Sequence, residues 1–134
     1  MVEFVDELYE RRAQMVMNNP YLAGLELVKK HPGTSGQAAL AKCILSLYNQ
    51  EHAFSIGEIL GPLDANYAEV VLAMVCEYAR HGETAELRQA GEWAYANFPR
   101  LIELSNSMSY ARSEVRQAWN RQHEEERRRL YPDD

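Results

Sequence analysis

Prolines constrain the fold of this chain more than any other residue type. They occur at positions 20, 32, 62, 99 and 132, and none of them lies inside a segment of helical periodicity. Proline breaks a helix interior but is well tolerated at a helix start, so this spacing is typical of a bundle of short helices. No stretch shows the alternation of a strand, and 134 residues is a usual length for one domain. The sequence therefore predicts a single all-α domain over residues 1–134 with six or seven helices.

Apolar residues at steps of three and four place the helices. The predicted segments are Val2–Met17, Tyr21–Lys30, a helix from Thr34 or Ser35 to Gln50, a short turn after Ser55, Ala65–His81 and Ala85–Ala96. Asn19 and Asp64 are expected to cap the helices that follow them, and Ser55 with Glu58 forms a capping-box pattern. The expected buried face of Ala65–His81 consists of Val70, Val71, Met74, Val75 and Tyr78.

The last helix is predicted to begin at Pro99 and to be longer than the others. Its apolar residues alternate three and four apart, as in a heptad pattern, at Leu101, Leu104, Met108, Ala111, Val115 and Ala118. After Trp119 the stripe ends and the chain becomes rich in Glu and Arg, with i,i+4 pairs that stabilise a helix. We expect the last ten or so residues to project into solvent as helix or to fray.

Negative charge is concentrated in the middle of the chain. Residues 51–110 contain nine acidic side chains against three arginines, which accounts for the whole net charge of −6. An acidic helical surface repels nucleic acid and attracts basic protein surfaces. The acidic residues expected to form such a face are Glu69, Glu77, Glu83, Glu86 and Glu92.

No sequence motif indicates catalysis, a cofactor or a metal. The four histidines are far apart and fit no metal-binding spacing, and no serine lies in a nucleophile motif. Gly33 to Gly36 precedes a helix but lacks the lysine of a phosphate-binding loop, so we expect a plain turn there. Cys43 and Cys76 lie in apolar helical stretches and are expected to be buried thiols. We therefore expect a protein that is not an enzyme.

The last helix carries the residue types that dominate protein interfaces, namely Tyr, Trp and Arg. Tyr110, Arg112, Arg116 and Trp119 are the expected contact residues. Arginines interleaved with aromatic residues also occur in proteins that bind nucleic acid. Glutamates neutralise this stretch, however, and the isoelectric point is about 5.2, so direct binding of nucleic acid is not expected.

Two further features of the sequence bear on the cellular location of the protein. No apolar run approaches the roughly 20 residues that span a membrane. The first seven residues are acidic and lack the basic region of a signal peptide. We expect a cytoplasmic protein without a membrane partner.

Part of the chain, within residues 33–81, resembles a family of small uncharacterised bacterial proteins often associated with plasmids and integrative elements. The matching residues are Ser35-Gly36-Gln37, Leu45, Leu47-Tyr48-Asn49, Phe54-Ser55-Ile56, Leu60, Leu63-Asp64 and Met74. The chain departs from the family where His52-Ala53 replace glycines and Tyr48 replaces a tryptophan. The family has no established catalytic residues to carry over. In size, acidity and lack of catalytic motif, the chain is also similar in type to anti-CRISPR and other anti-defence proteins.

Two hypotheses of function follow. In the first, the chain inhibits a basic protein that handles nucleic acid, such as a CRISPR effector subunit, by presenting its acidic helical face. In the second, it is a structural or accessory protein that forms a homodimer through the heptad stripe of its last helix.

Overall fold

The computed structural model describes residues 19–132, which form six α-helices and no strand. The helices are α1 (Pro20–Lys30), α2 (Ser35–Tyr48), α3 (Ile56–Leu60), α4 (Ala65–His81), α5 (Ala85–Asn97) and α6 (Pro99–Leu130). The all-α prediction is confirmed. The predicted first helix, Val2–Met17, lies outside the described residues.

Most helices begin at a side-chain cap, as the sequence predicts. The Asn19 side chain accepts a hydrogen bond from the backbone N–H of Tyr21, and the Asp64 side chain accepts one from that of Tyr67, each at 2.9 Å. The capping box of Ser55 and Glu58 is complete at the start of α3. These caps satisfy N–H groups that have no partner within the helix, so each helix starts where its cap lies.

The core is formed where α2 packs against α1, α4 and α5. Its largest fully buried apolar side chains are Tyr21, Val28, Leu40, Ile44, Leu45, Val71, Met74 and Leu87. In this part of the chain no helix is both long enough and apolar enough to cross a membrane.

Helix α4 buries a narrower face than expected. Val70, Val71 and Met74 are buried, but Val75 and Tyr78 are about two-fifths exposed, at 39% and 41%. Cys76 is exposed as well, whereas Cys43 is buried as expected. Because α4 packs on one side only, the edge of its apolar stripe stays in solvent. Cys76 is two residues beyond Met74, or about 200° around the helix, so it lies on the outer face.

Helix α6 is attached to the rest of the molecule through its first turns. Leu101, Ile102 and Met108 pack, half-buried, against the core, and Ser105 is buried. From residue 110 to residue 130 every side chain is exposed except those of Ala118 and Glu124, which are half-buried. The predicted projection therefore exists as continuous helix, but it begins about one heptad earlier than the sequence indicates.

Gly91 allows α5 to approach α2 closely, which generates a testable prediction. A Cβ at Gly91 would lie within van der Waals overlap of the Tyr48 ring, whereas a Cβ at Gly57 would meet no atom within 4 Å. We expect Gly91→Ala to lower the free energy of unfolding by about 1–3 kcal/mol, because the ring must move. Gly57→Ala is the control and should be neutral or slightly stabilising. Urea denaturation measures both, and equal stability of the two variants would contradict this packing.

Candidate functional site

A buried histidine lies in the turn that follows α2. The His52 backbone N–H donates to the Asn49 carbonyl at 2.9 Å, and this tight turn directs the imidazole inward, leaving it 4% exposed. The side chain of Phe54, 7% exposed, anchors the same turn in the core. The turn thus places an ionisable ring between the ends of three elements.

Hydrogen bonds connect this ring to α5 and α6. Nδ1 of His52 lies 2.6 Å from Oγ of Ser105, and Nε2 is hydrogen-bonded to the hydroxyl of Tyr95. The Asn49 side-chain amide donates to the same hydroxyl at 3.4 Å. A neutral imidazole has one donor and one acceptor nitrogen, so a hydroxyl on each side satisfies it fully.

Burial keeps this imidazole uncharged. Removal from water lowers the pKa of His52 below its usual 6.5, and the nearby Glu51 carboxylate opposes that shift only in part. At neutral pH the ring is therefore a neutral hydrogen-bonding group.

A serine beside a histidine is also the arrangement of a nucleophile and its base. Here Ser105 is only 1% exposed, so a substrate has no access to its Oγ. The side chains of His52, Ser105 and Tyr95 therefore act as a joint. Their hydrogen bonds fasten α6 to the turn after α2 and to α5. Within residues 19–132, no three His, Cys, Asp or Glu side chains converge as a metal site would require.

Tyr95, which belongs to the joint, also borders a surface hollow of about 400 Å³. The residues that line the hollow are Tyr48, Asn49, Glu83, Glu92 and Tyr95. The two tyrosine rings contact edge to face, with centroids 5.7 Å apart and planes at 77°. The hollow therefore combines aromatic surface, an amide and two carboxylates.

The structure brings together two of the five predicted acidic residues. Glu83, which precedes α5, and Glu92 on α5 are exposed and line the same hollow. Glu69 and Glu77 on α4 and Glu86 on α5 are half-buried and lie outside it. The sequence indicated the charge of this region but not that two of its carboxylates share a hollow.

The four predicted contact residues on α6 are all exposed. Tyr110 is 66% and Trp119 63% exposed. At about 100° per residue, Arg112, Arg116 and Trp119 lie within one sector of roughly 60°, and Tyr110 lies on the opposite side of the helix. Tyr110 instead borders a shallow surface depression near the start of α6, together with Ile102 and Asn106.

Sequence reasoning missed the joint entirely. His52 and Ser105 are separated by 53 positions, and each looks locally like an ordinary loop or helix residue. One feature of the sequence could have indicated a buried hydrogen bond here. Ser105 is a polar residue between Leu101 and Met108, on the face of α6 that contacts the body.

Comparison with known proteins adds no relative. The chain matches no family model, no curated protein and no solved structure.

The lowered pKa of His52 predicts a pH dependence of stability. In the unfolded chain this histidine takes up a proton near pH 6.5, whereas in the folded chain it does so only at lower pH. Stability is therefore fully present above about pH 6.5 and declines as the pH falls towards the folded pKa. One proton limits the decline to about 1.4 kcal/mol per pH unit.

Urea denaturation between pH 7.5 and 5.5 measures this effect. We expect His52→Gln to be less stable than wild type at pH 7.5 and to show a flatter pH profile. His123→Gln, an exposed position on α6, is the matched control and should keep the wild-type slope. Parallel profiles for wild type and His52→Gln would show that the buried ring does not carry the pH dependence.

Proposed function

We propose that this chain is a non-enzymatic inhibitor that binds a basic, nucleic-acid-handling protein of a bacterial defence system. A CRISPR effector subunit has the required surface, because such complexes hold guide RNA and DNA in basic channels. The partner is cytoplasmic in this proposal, and so is the chain. The observation that carries the proposal is the distribution of charge between the helical body and α6.

The body, residues 19–97, is acidic. It contains nine acidic and five basic side chains, whereas α6 contains seven arginines and five glutamates. The acidic residues of the body are Glu26, Glu51, Glu58, Asp64, Glu69, Glu77, Glu83, Glu86 and Glu92. Because the positive excess lies on α6, the body keeps a net negative charge, nine acidic against five basic side chains, to present to a partner.

Such a surface favours a basic partner in two ways. It raises the rate of encounter with a positive surface, and it occupies the place of phosphate groups without being nucleic acid. The resemblance of residues 33–81 to a mobile-element family supports a role against host defence.

A second function is supported by the exposed stripe on α6. Leu104 is 45% and Val115 47% exposed on the same side of a 32-residue helix, and Trp119, 63% exposed, lies at the edge of this stripe. Exposed apolar residues in a line typically mark a protein interface. The candidate occupant is a second copy of the same helix, antiparallel to the first.

Charge complementarity favours this occupant. Two residues seven positions apart flank the stripe on each side. Glu114 and Arg121 lie on one side, and Arg112 and Trp119 lie on the other. In a two-fold antiparallel pair, each Glu114 faces an Arg121 of the second copy, and each Arg112 faces a Trp119. Opposite charges and cation–π contacts at these flanking positions favour pairing.

The inhibitor hypothesis predicts a gain of phage infection. In bacteria immunised by a CRISPR system, expression of the chain should raise the plaquing efficiency of the targeted phage. Glu86→Lys with Glu92→Lys should abolish most of this effect, because like charges at an interface cost several kcal/mol, about a hundredfold in affinity. Glu125→Lys with Glu126→Lys, on the far end of α6, makes the same charge change as a control. Full activity of the first pair would refute the acidic-surface mechanism.

The self-association hypothesis predicts a dimer in sedimentation velocity at tens of micromolar protein. Val115→Glu should shift the chain to monomer, because it places charge in the apolar seam. Ser113→Glu, on the other side of the helix, should leave the dimer intact. Glu114→Arg should weaken the dimer, and Glu114→Arg combined with Arg121→Glu should restore it. A monomeric wild type would reject this function.

A further inference from the structure

We propose that the hollow between α2 and α5 binds an organic cation, a guanidinium or alkylammonium group. This inference rests on the proposed function, because the expected source is an Arg or Lys side chain of the basic partner. A small free polyamine carries the same chemistry and is the other source that the experiment tests.

The charge of the hollow favours a cation. Glu83 and Glu92 line it, both are exposed, and neither forms an ion pair within residues 19–132. Among residues 19–132, no Lys, Arg or His lines the hollow. The nearest ionisable ring behind it, His52, stays neutral at pH 7, so it does not offset the two carboxylates.

The aromatic rings favour an organic cation over a metal ion. Tyr48 and Tyr95 supply π-surface, and cations of Arg, Lys and alkylammonium ligands bind such surfaces in aromatic cages. A volume of about 400 Å³ is in the range of small-molecule sites. Glu83 and Glu92, with the Asn49 amide, provide hydrogen-bond acceptors for N–H donors.

The lining is held in place before any ligand arrives. The Tyr95 hydroxyl is bonded to His52 and accepts from Asn49, which fixes the ring. The Tyr48 ring lies against Gly91, where any larger residue would displace it. A site whose side chains are already oriented loses little conformational entropy on binding.

Titration followed by ¹H–¹⁵N NMR tests the proposal, with ethylguanidinium, an arginine-rich nonapeptide and the polyamine spermidine as probes. We expect shifts confined to amides around the hollow, such as those of Asn49 and Glu92. Glu83→Gln with Glu92→Gln should weaken ethylguanidinium binding about tenfold or more. Glu125→Gln with Glu126→Gln removes two charges from the exposed end of α6 and should not alter ethylguanidinium binding. Thermal melts check that all variants stay folded.

Two results would overturn the proposal: equal ethylguanidinium affinity in both double variants, or shifts spread over every acidic patch. Binding of the peptide about tenfold tighter than spermidine identifies a protein side chain as the source, and the reverse order identifies a polyamine. Retained ethylguanidinium binding without any rise in plaquing efficiency would reject the proposed inhibitor function and leave the cation site standing.

Discussion

The buried hydrogen bond between His52 and Ser105 is the interaction on which the placement of α6 depends. Ser105 is the one buried residue among those of α6, and its neighbours Leu101 and Met108 are only half-buried. Apolar contacts of that kind tolerate rotation and sliding, whereas a hydrogen bond between two buried groups does not, because an unpaired buried group costs about 1–3 kcal/mol. One polar contact therefore sets the register of a helix that extends well beyond the body.

The same ring connects this joint to the hollow. His52 bonds Ser105 through one nitrogen and Tyr95 through the other, so the side chain that orients α6 also orients a wall of the hollow. The neutral state of the His52 ring suits both the attachment of α6 and the orientation of the hollow's wall. A protonated imidazole in this position would repel a cation beside Tyr95, and its burial would cost stability. Burial of a neutral ring thus attaches α6 without offsetting the negative charge that Glu83 and Glu92 give the hollow.

The helices were predictable from sequence because their determinants are local. Asp64, Ser55 and Asn19 each cap a helix within three residues, and the prolines separate the segments. Burial was less predictable: Val75 and Cys76 lie on a helix with apolar residues on several sides, and only the position of α1 and α2 decides which side is covered. The joint and the hollow could not be predicted, since His52, Tyr95 and Ser105 meet only after three separate elements have packed.

The two proposed surfaces are compatible with one another, and this follows from where they lie. The hollow is built on α2 and α5, whereas Val115 and Trp119 lie on the part of α6 beyond the joint. Most helical stability in proteins comes from tertiary packing, and the ion pairs of Glu124 with Arg127 and Arg128 support only the last turns of α6. Pairing of two α6 helices would cover Val115 and Trp119 and leave both hollows accessible. A dimer would then present two cation sites to one basic partner, and linked sites bind with an avidity above that of either alone.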